Sequence, residues 1–335
     1  MSHNGHPRVS LSHLPTPIEA MPNLSAALGD AQILVKRDDC TGLAMGGNKA
    51  RQLEYYFGAA HAMGADTVII TGAVQSNFLR MTAAAAAKLG MSCEIQHEER
   101  VSSMGADYHE SGNVLLDRIL GATIHHYPVG EDEAGADRAL DEIAERCRAE
   151  GRKPYVIHLG MDHPPLGALG YVDAAKELLT QIEEQGLEID LVVVPSGSGA
   201  THAGLLAGLL LEGSRLPVLG VCVRRSQEPQ RERMRNRVAE IGALVGKREL
   251  EATESDLQFE DSVLAPGYGR LNEATHEAIA LAARCEGLLV DPVYSGKTLA
   301  GLIAAIRGGS IAPDARVLFW HTGGTPAIFG YGSQL

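Results

Sequence analysis

The sequence predicts an α/β fold built from two doubly wound, open parallel sheets. Short apolar runs alternate with longer amphipathic stretches along almost all of the 335 residues, a pattern typical of strands that alternate with helices. The apolar runs are continuous in Val, Ile and Leu, so we expect each strand to be covered on both faces, as in a parallel sheet. The runs fall into two groups, which indicates two domains.

The predicted elements follow in order along the chain. The first group contains strands at DTVIITG (66–72), SCEIQ (92–96), TIHHYPV (123–129) and PYVIHL (154–159). Helices are predicted in this group at 77–89, 110–120 and 135–150. The second group contains strands at DLVVVPS (190–196), PVLGVCV (217–223), LLVD (288–291) and RVLFWHT (316–322), again with helices between them.

Composition and charge argue against several classes of protein. The net charge of −13 disfavours a nucleic-acid binder, because such proteins concentrate positive charge. No apolar run reaches the roughly 18–20 residues that span a bilayer, and no secretory signal is expected at the start. The five cysteines are scattered without CxxC or zinc-type spacing. Their scatter predicts buried thiols, no metal site and a reducing, cytoplasmic compartment.

Glycine-rich segments follow three of the predicted strands. They are TGAVQSN (71–77), SGSGATHAG (196–204) and HTGGTPA (321–327). Ligands of open parallel sheets bind at the carboxyl ends of the strands, so we expect these three segments to converge on one pocket.

The second of these segments has the pattern of a phosphate-binding turn. Gly197 and Gly199 allow the backbone to approach a ligand closely, and the amides of 198–201 then point at an anion from the start of a helix. There is no GxxxxGK[ST] for a nucleoside triphosphate and no GxGxxG with a ribose-binding acid for a dinucleotide. A compact monophosphate fits best, and the alternative is a tight turn that binds nothing.

Lys49 in AMGGNKARQLE (44–54) lies at the predicted start of a helix, where the local positive field disfavours an ammonium. A lowered pKa is what a lysine needs to attack an aldehyde as a neutral amine. The alternative is a solvated helix lysine, and Arg51 in the same turn weakens the field argument. Lysine and phosphate loop together predict pyridoxal 5′-phosphate, which needs both an amine and a monophosphate cradle.

Seven ordered stretches together resemble one enzyme family. They are KRDD…AMGGNKARQLE, GAVQSNFLRMTAAAAAKLG, GALGY, SGSGATHAGL, APGYG, EGLLVDPVYSGKTLAGLI and HTGGTPAIFGY. The set is similar to the pyridoxal-phosphate enzymes of the D-cysteine desulfhydrase and aminocyclopropane-carboxylate deaminase family, to which L-cysteate sulfo-lyase is related. The resemblance extends from about residue 14 to residue 331.

The resemblance implies a fold and an assembly. The fold is tryptophan-synthase-β-like (fold type II of these enzymes), with a small domain at 53–165 inserted in a large domain formed by 1–52 and 166–335. It also implies a homodimer that acts on a small amino acid, with no nucleic-acid or membrane partner.

Site residues are implied position by position. Lys49 matches the Schiff-base lysine, Asn77 the asparagine at the cofactor's ring oxygen, and Ser76 the serine at the substrate carboxylate. The remaining matches are the phosphate cradle (Ser198, Gly199, Ala200 and Thr201), two tyrosines (Tyr268 and Tyr294), two hydroxyls near the ring nitrogen (Ser295 and Thr322), and Gln75, Phe78 and His158 on the substrate side. Taken singly, the same residues have plain alternatives: QSN (75–77) as a helix cap, and the tyrosines as packed aromatics.

Two hydroxyls bear on the reaction. The deaminase pattern has a glutamate at Ser295 and a leucine at Thr322, and a hydroxyl cannot hold the ring nitrogen protonated as a carboxylate can. A neutral ring is a weaker electron sink, which disfavours opening of a cyclopropane and favours β-elimination to pyruvate and ammonia.

The substrate remains open at this point. Phe78 replaces the usual histidine, and the segment HLGMDHPPLGALGY brings in His158, Asp162 and His163. These departures either select a different β-group or merely line the domain hinge. His158 or His163 is a candidate for the positive charge that a sulfonate substrate would need. The rival classes are a nicotinamide-dependent dehydrogenase and a non-catalytic protein that binds pyridoxal phosphate.

Overall fold

Ten strands form two sheets in a computed structural model that describes residues 5–29 and 31–335. The strands are β1 (Ile18–Ala20), β2 (Gln32–Arg37), β3 (Thr67–Ala73), β4 (Ser92–Glu98), β5 (Thr123–Tyr127), β6 (Pro154–Ile157), β7 (Leu191–Ser196), β8 (Val218–Cys222), β9 (Gln258–Glu260) and β10 (Arg316–His321). The larger sheet has the order β1-β2-β10-β7-β8-β9, and the smaller one has the order β5-β4-β3-β6.

Both sheets are parallel, as the continuous apolar runs predict. Every pair of neighbouring strands runs parallel within the described residues except β1 with β2. Strand β3 is buried at all seven of its residues, which is the burial expected of a strand covered on both faces. The four strands of the smaller sheet lie between β2 and β7 in the sequence. The residue limits of the two domains stay a prediction.

Helices connect the strands and cover the sheets. They are α1 (Pro22–Ala27), α2 (Lys49–Ala62), α3 (Asn77–Leu89), α4 (Ala106–Glu110), α5 (Gly112–Ile119), α6 (Glu133–Ala149), α7 (Leu169–Gln185), α8 (Ala200–Leu211), α9 (Gln227–Leu244), α10 (Glu273–Glu286), α11 (Ser295–Arg307) and α12 (Ala327–Gly330). Among them, none in the described part of the chain is long and apolar enough to cross a membrane.

The predicted strand at 288–291 is wrong. Leu288 and Val290 are buried, but their backbone runs as irregular chain from α10 to α11. Its polar groups have other partners: the Leu288 N–H donates to Ala282 at the end of α10, and the Leu289 carbonyl accepts from His321 Nε2 at 3.0 Å. The apolar run correctly predicted that Leu288 and Val290 are buried. Strand formation also needs a neighbouring strand with free backbone groups to pair with.

Two further expectations need correction. The single helix predicted at 110–120 is divided at Ser111 into α4 and α5, and Gly112 has a left-handed φ of 58°. A Cβ at Gly112 would lie 2.5 Å from the Gln75 side chain, so this break is required by a contact distant in sequence. Buried thiols are found at three cysteines, but Cys40 is exposed and Cys285 is half-buried.

A buried ion cluster anchors α2 to the larger sheet. Arg51 Nη2 lies 2.9 Å from Asp38 Oδ1, and Arg51 Nη1 lies 2.9 Å from Glu177 Oε2. Lys36 Nζ lies 2.6 Å from Glu177 Oε1, and the Tyr171 hydroxyl donates to Asp38 Oδ2. Burial alone opposes charge on Asp38, but the Arg51 cation lowers the pKa of that carboxyl. Arg51 therefore pairs with these acids, and its place in the first turn of α2 is explained.

The carboxyl ends of strands from both sheets open onto one cleft. Its lining includes Gly72 at the end of β3, Ser76 just beyond it, Gly197 after β7, and Thr322 after β10. The three glycine-rich segments therefore converge as predicted, at the edge where open parallel sheets bind ligands.

Candidate active site

Lys49 is the first residue of α2, and its side chain lines the cleft. Its Nζ lies 4.4 Å from the centre of the Phe78 ring and 3.3 Å from Gln52 Oε1. Burial lowers the pKa of Lys49 to about 8. The neutral amine needed for attack on an aldehyde is therefore more populated near neutral pH than in an exposed lysine.

A second lysine shows that a lowered pKa alone does not identify the site. Burial also lowers the pKa of Lys297 to about 8. Its Nζ, however, donates to three backbone carbonyls at 3.1–3.2 Å, those of Leu264, Gly267 and Arg270. Lys297 thus fixes a loop, whereas Lys49 faces the cleft.

The glycines before Lys49 are required by the chain itself. Gly46 has a φ of 69°, and a Cβ there would lie 1.8 Å from the Asp39 carbonyl oxygen. Gly47 has a φ of 132°, and a Cβ there would lie 3.1 Å from the Thr322 carbonyl oxygen. Both positions hold a left-handed backbone that only glycine adopts freely, and this turn places Lys49 beside Thr322.

The loop between β7 and α8 has the geometry expected of an anion cradle. The carbonyls of Gly197 and Ser198 accept hydrogen bonds from Gln230 (3.1 Å) and Arg233 (2.8 Å), which hold the loop from the side of α9. Gly199 has a φ of 104° at the start of α8, where the first amides have no partner within the helix. These amides border the cleft that contains Lys49, so the residues present fit one phosphoryl group.

Thr201 connects this cradle to the lysine helix. Its Oγ1 accepts a hydrogen bond from Asn48 Nδ2 at 2.8 Å and another from Gln52 Nε2 at 2.9 Å. With both donors on the oxygen, the hydroxyl hydrogen remains available to an acceptor in the cleft.

Ser76 both caps α3 and lines the cleft. Its Oγ accepts from the N–H groups of Phe78 (3.2 Å) and Leu79 (3.4 Å). The helix-cap alternative is therefore correct for Ser76, yet its O–H can still donate to a ligand. Asn77 starts α3 and lines the same wall.

Two tyrosines that line the same cleft as Ser76 contact one another. The hydroxyls of Tyr268 and Tyr294 are 2.8 Å apart. Burial raises the pKa of both phenols. Both therefore carry their protons at neutral pH, and the pair can pass a proton to a ligand.

Two arginines that the sequence interpretation missed line the cleft. Arg100 follows β4 and forms a two-fold contact with Glu98, at 2.9 and 2.8 Å. Arg224 follows β8, and its Nε has no partner within the described residues. Their position in the sequence could have identified them, because each lies two residues beyond the carboxyl end of a parallel strand.

Several predicted site residues do not line this cleft. The Gln75 amide binds the backbone of Tyr108, Ser111 and Asn113. The Ser295 hydroxyl donates to Asp291 Oδ1 at 2.6 Å. Ala200 and His158 line a side pocket that shares Phe78, Leu159 and Ser198 with the cleft.

His158, His163 and Asp137 form a group with ligand atoms within 4.8 Å of one another. The two imidazole rings are stacked, with centres 4.0 Å apart and planes inclined by 8°. Lone pairs in parallel planes do not converge on one point, so the arrangement fits a stacked pair beside a carboxylate. His202 lies apart from this group, buried on α8 with its Nδ1 3.0 Å from Ser196 Oγ.

Comparisons with known proteins agree over nearly the whole chain. The family described as pyridoxal-phosphate dependent enzyme matches residues 9–323. A relative from Klebsiella pneumoniae (strain 342) is 44% identical over 329 residues, which are 98% of this chain and 97% of the relative. A relative from Salmonella typhi is 43% identical over 325 residues, or 97% and 96% of the two chains. Both relatives are named D-cysteine desulfhydrase.

Solved structures agree in fold. A crystal structure described as an ACC deaminase homologue has a TM-score of 0.86 and 37% identity, covering 98% of this chain and 95% of its own. A fungal L-serine ammonia-lyase from Rhizomucor miehei has a TM-score of 0.65 and 18% identity, with 95% and 96% coverage. At that identity, the second likeness is one of fold alone.

Proposed function

Because this chain belongs to the family of pyridoxal-phosphate-dependent enzymes, we propose that it is a carbon–sulfur lyase of the D-cysteine desulfhydrase type. Its parallel sheets and its likeness to the ACC deaminase homologue are those of fold type II. The proposal rests on one observation: a lysine of lowered pKa, a loop suited to bind an anion and a pair of protonated tyrosines line the same cleft.

The cofactor supplies an aldehyde for the amine and a ring that delocalises the electron pair left at the substrate's α carbon. Lys49 would hold it covalently, the amides of 198–201 and the Thr201 hydroxyl would bind its phosphate, and Asn77 would contact its ring oxygen. These roles match the donors that the cleft presents.

The reaction proposed is β-elimination from a three-carbon amino acid. The Ser76 O–H donates to the substrate carboxylate, and the Lys49 amine takes the α-proton as general base. The tyrosine pair gives a proton to the sulfur that leaves, since the two hydroxyls are 2.8 Å apart and neutral. Hydrolysis of the eliminated product then yields pyruvate and ammonia.

The cleft lining supports elimination over cyclopropane opening. Its described residues include no carboxylate, and Thr322 is the hydroxyl at the end of β10. The Asp291 carboxylate nearby accepts from the N–H groups of 293, 294 and 295 and from the Ser295 hydroxyl. It is therefore engaged by the start of α11, which supports a neutral ring nitrogen.

The direct test of this function is pyruvate release by the purified holoenzyme. The panel contains D-cysteine, L-cysteine, L-cysteate, β-chloroalanine and aminocyclopropane carboxylate. We expect pyruvate from at least one β-substituted alanine. Activity on the cyclopropane alone, with release of α-ketobutyrate, would overturn the proposal, and a cofactor-loaded protein with no product would identify a non-catalytic binder.

A second candidate function is L-cysteate sulfo-lyase, which releases sulfite. Arg100 and Arg224 favour it, because a sulfonate is a fixed anion and both guanidinium groups line the cleft. Each also has a carboxylate partner, Glu98 at 2.8 Å from Arg100 and Glu133 at 2.9 Å from Arg224. Both lie near Tyr268, the proposed proton donor, since their charges lower its pKa against the effect of burial. The two arginines replace His158 as the candidate cations for a sulfonate, because His158 lies in the side pocket.

Replacing Arg224 tests the choice between the two substrates. If L-cysteate is the substrate, Arg224→Gln is expected to lower kcat/KM for it by about 10- to 100-fold, the effect of one charge-assisted hydrogen bond. Values for uncharged β-substituents are expected to change less than about threefold. The matched control is Arg215→Gln, which removes an exposed arginine paired with Asp256 at 3.2 Å. Equal losses on charged and uncharged substrates would contradict an anion-binding role.

Replacing Thr201 tests the cradle. Thr201→Val keeps the shape of the side chain but removes the acceptor of Asn48 and Gln52 together with the hydroxyl donor. We expect the dissociation constant for pyridoxal phosphate to rise about tenfold or more. It is measured by fluorescence titration of the stripped protein, with Thr180→Val on the exposed side of α7 as the control. Unchanged affinity would remove Thr201 from the cradle.

We also propose that the protein is a homodimer in the cytoplasm. Leu115 and Ile119 on α5 are exposed, as is Phe329 on α12, and these helices pack together. Such exposed apolar side chains support the homodimer, which light scattering would detect as twice the monomer mass. Five unpaired cysteines support a cytoplasmic, reducing environment.

A further inference from the structure

Arg80 is a fully buried arginine with no carboxylate partner in the part of the chain that the structure describes. It lies on α3, one turn after Asn77. Its Nη1 donates to Asn77 Oδ1 at 2.9 Å and to Asn113 Oδ1 at 2.6 Å, and its Nη2 donates to the Gly46 carbonyl at 3.0 Å. Its Nε has no partner. The contrast with Arg51, equally buried but paired with two acids, is direct.

Burying such a cation lowers the stability of the folded protein. A buried charge that no carboxylate contacts loses its hydration and regains the hydrogen bonds available to it, and Asp117 and Asp291 favour its charged form only from beyond contact distance. Burial lowers the pKa of Arg80 to about 10, so the side chain still carries its charge at neutral pH. An apolar residue of similar volume would avoid this cost, so the position calls for an explanation in the site it borders.

The donors around Asn77 determine which way its amide faces. Arg80 can only donate, so the atom of Asn77 that it contacts is the carbonyl oxygen Oδ1. Asn113 Nδ2 donates to the same oxygen at 3.0 Å and to the Gln75 carbonyl at 3.0 Å. With Oδ1 held by two donors, the Asn77 amide presents its NH₂ group as the donor to the cleft.

Gln75 extends this arrangement. Its Oε1 accepts from the Asn113 N–H at 2.9 Å, and its Nε2 donates to the Tyr108 and Ser111 carbonyls at 2.6 and 3.0 Å. These bonds fix the start of α5 and, with it, the Asn113 side chain. Gln75, predicted to contact substrate, is thus placed to hold the support of Asn77 instead.

We propose that Arg80 is a positioning residue that, through Asn77, holds the ring oxygen of pyridoxal phosphate in its ionised form. The locked amide offers that oxygen an N–H donor, and the guanidinium behind it adds positive potential in a poorly hydrated site. An ionised ring oxygen favours the tautomer whose proton lies on the imine nitrogen, so a proton moves between two atoms and the total charge is unchanged. This inference rests on the proposed contact between Asn77 and the ring oxygen, and it requires no turnover.

The test uses the visible spectrum of the holoenzyme without substrate. The ionised tautomer absorbs in the visible and the neutral tautomer in the near ultraviolet, so the ratio of the two bands reports the equilibrium. In Arg80→Met we expect this ratio to fall about tenfold, the effect of a charge-assisted contact. Arg80→Lys keeps the charge and is expected to recover part of the ratio. Arg231→Met, which replaces an arginine packed on Phe259, serves as the control and should match the parent protein.

A variant that fails to fold leaves the test intact. Asn113→Ala removes one of the two donors that hold Oδ1 and keeps Arg80, and we expect a smaller shift in the same direction. Circular dichroism establishes that each variant compared is folded. A band ratio unchanged in a folded, cofactor-loaded Arg80→Met or Asn113→Ala protein would overturn the inference. If a variant lost pyruvate release while its band ratio stayed unchanged, the inference would be wrong. The proposed lyase function would still be tested separately by the substrate panel.

Discussion

Lys49→Ala is expected to yield a colourless protein whose pyruvate release is lower by about 1,000-fold or more. Two functions are lost together, because the same amine holds the cofactor and takes the α-proton. Burial lowers the pKa of this amine to about 8, and its Nζ contacts the Phe78 ring and Gln52 Oε1. The measurements are the absorbance spectrum after incubation with pyridoxal phosphate and the steady-state rate on the best substrate of the panel.

Two control variants make this prediction specific. Lys88→Ala replaces an exposed lysine at the end of α3 and should leave both colour and rate unchanged. Lys297→Met removes the other lysine whose pKa burial lowers to about 8, and it should keep the colour because that amine is bonded to loop carbonyls. A yellow Lys49→Ala protein that bleaches when Lys297 is replaced would move the chemistry to α11.

Arg51→Met is expected to lower the free energy of unfolding by about 3–5 kcal/mol, the cost of leaving buried acids without their partner. Asp38 is fully buried, and Arg51 is the cation that contacts it directly. Glu177 keeps Lys36 at 2.6 Å, so the loss falls mainly on Asp38, which retains hydroxyl donors from Tyr171 and Thr16.

Urea titration of the stripped protein measures this loss without a contribution from bound cofactor. Arg215→Met, a change at an exposed ion pair, is expected to shift stability by less than about 0.5 kcal/mol. A loss below about 1 kcal/mol for Arg51→Met would mean that the cluster contributes little to holding α2 on the sheet. Such a result would also weaken the explanation of why Arg51 follows Lys49 so closely.

The parallel sheets and the cleft were predictable because their signals are local. Continuous apolar runs predicted the strands around 67–73 and 191–196, and the glycine pattern before Lys49 predicted the start of a helix. The family resemblance then supplied residue roles that no local pattern could assign. Three strands were not predicted. Strands β1 and β9 have three residues each, lie at the two edges of the larger sheet and bury little. Strand β2 has only three consecutive apolar residues, Ile33, Leu34 and Val35.

The errors share a physical cause, which is partnership with distant parts of the chain. Leu288 and Val290 are apolar and buried, yet His321 and α10 bind backbone groups of this segment. Gln75 directly precedes the cleft residue Ser76 in the sequence, but its side-chain amide is hydrogen-bonded to the start of α5. Arg100 and Arg224 have no distinctive sequence pattern, and they reach one cleft because the two sheets from which they extend both open onto it. A pattern predicts burial and periodicity, whereas the direction of a polar side chain depends on partners that the fold supplies.

The most direct measurement is reduction of the holoenzyme with borohydride, followed by peptide mapping of the trapped cofactor. The account predicts a single labelled peptide, the one that contains Lys49, with the label on its ε-nitrogen. A label on Lys297 or on any other lysine, or no label on a protein that binds pyridoxal phosphate, would contradict the central claim that the amine at the start of α2 carries the chemistry.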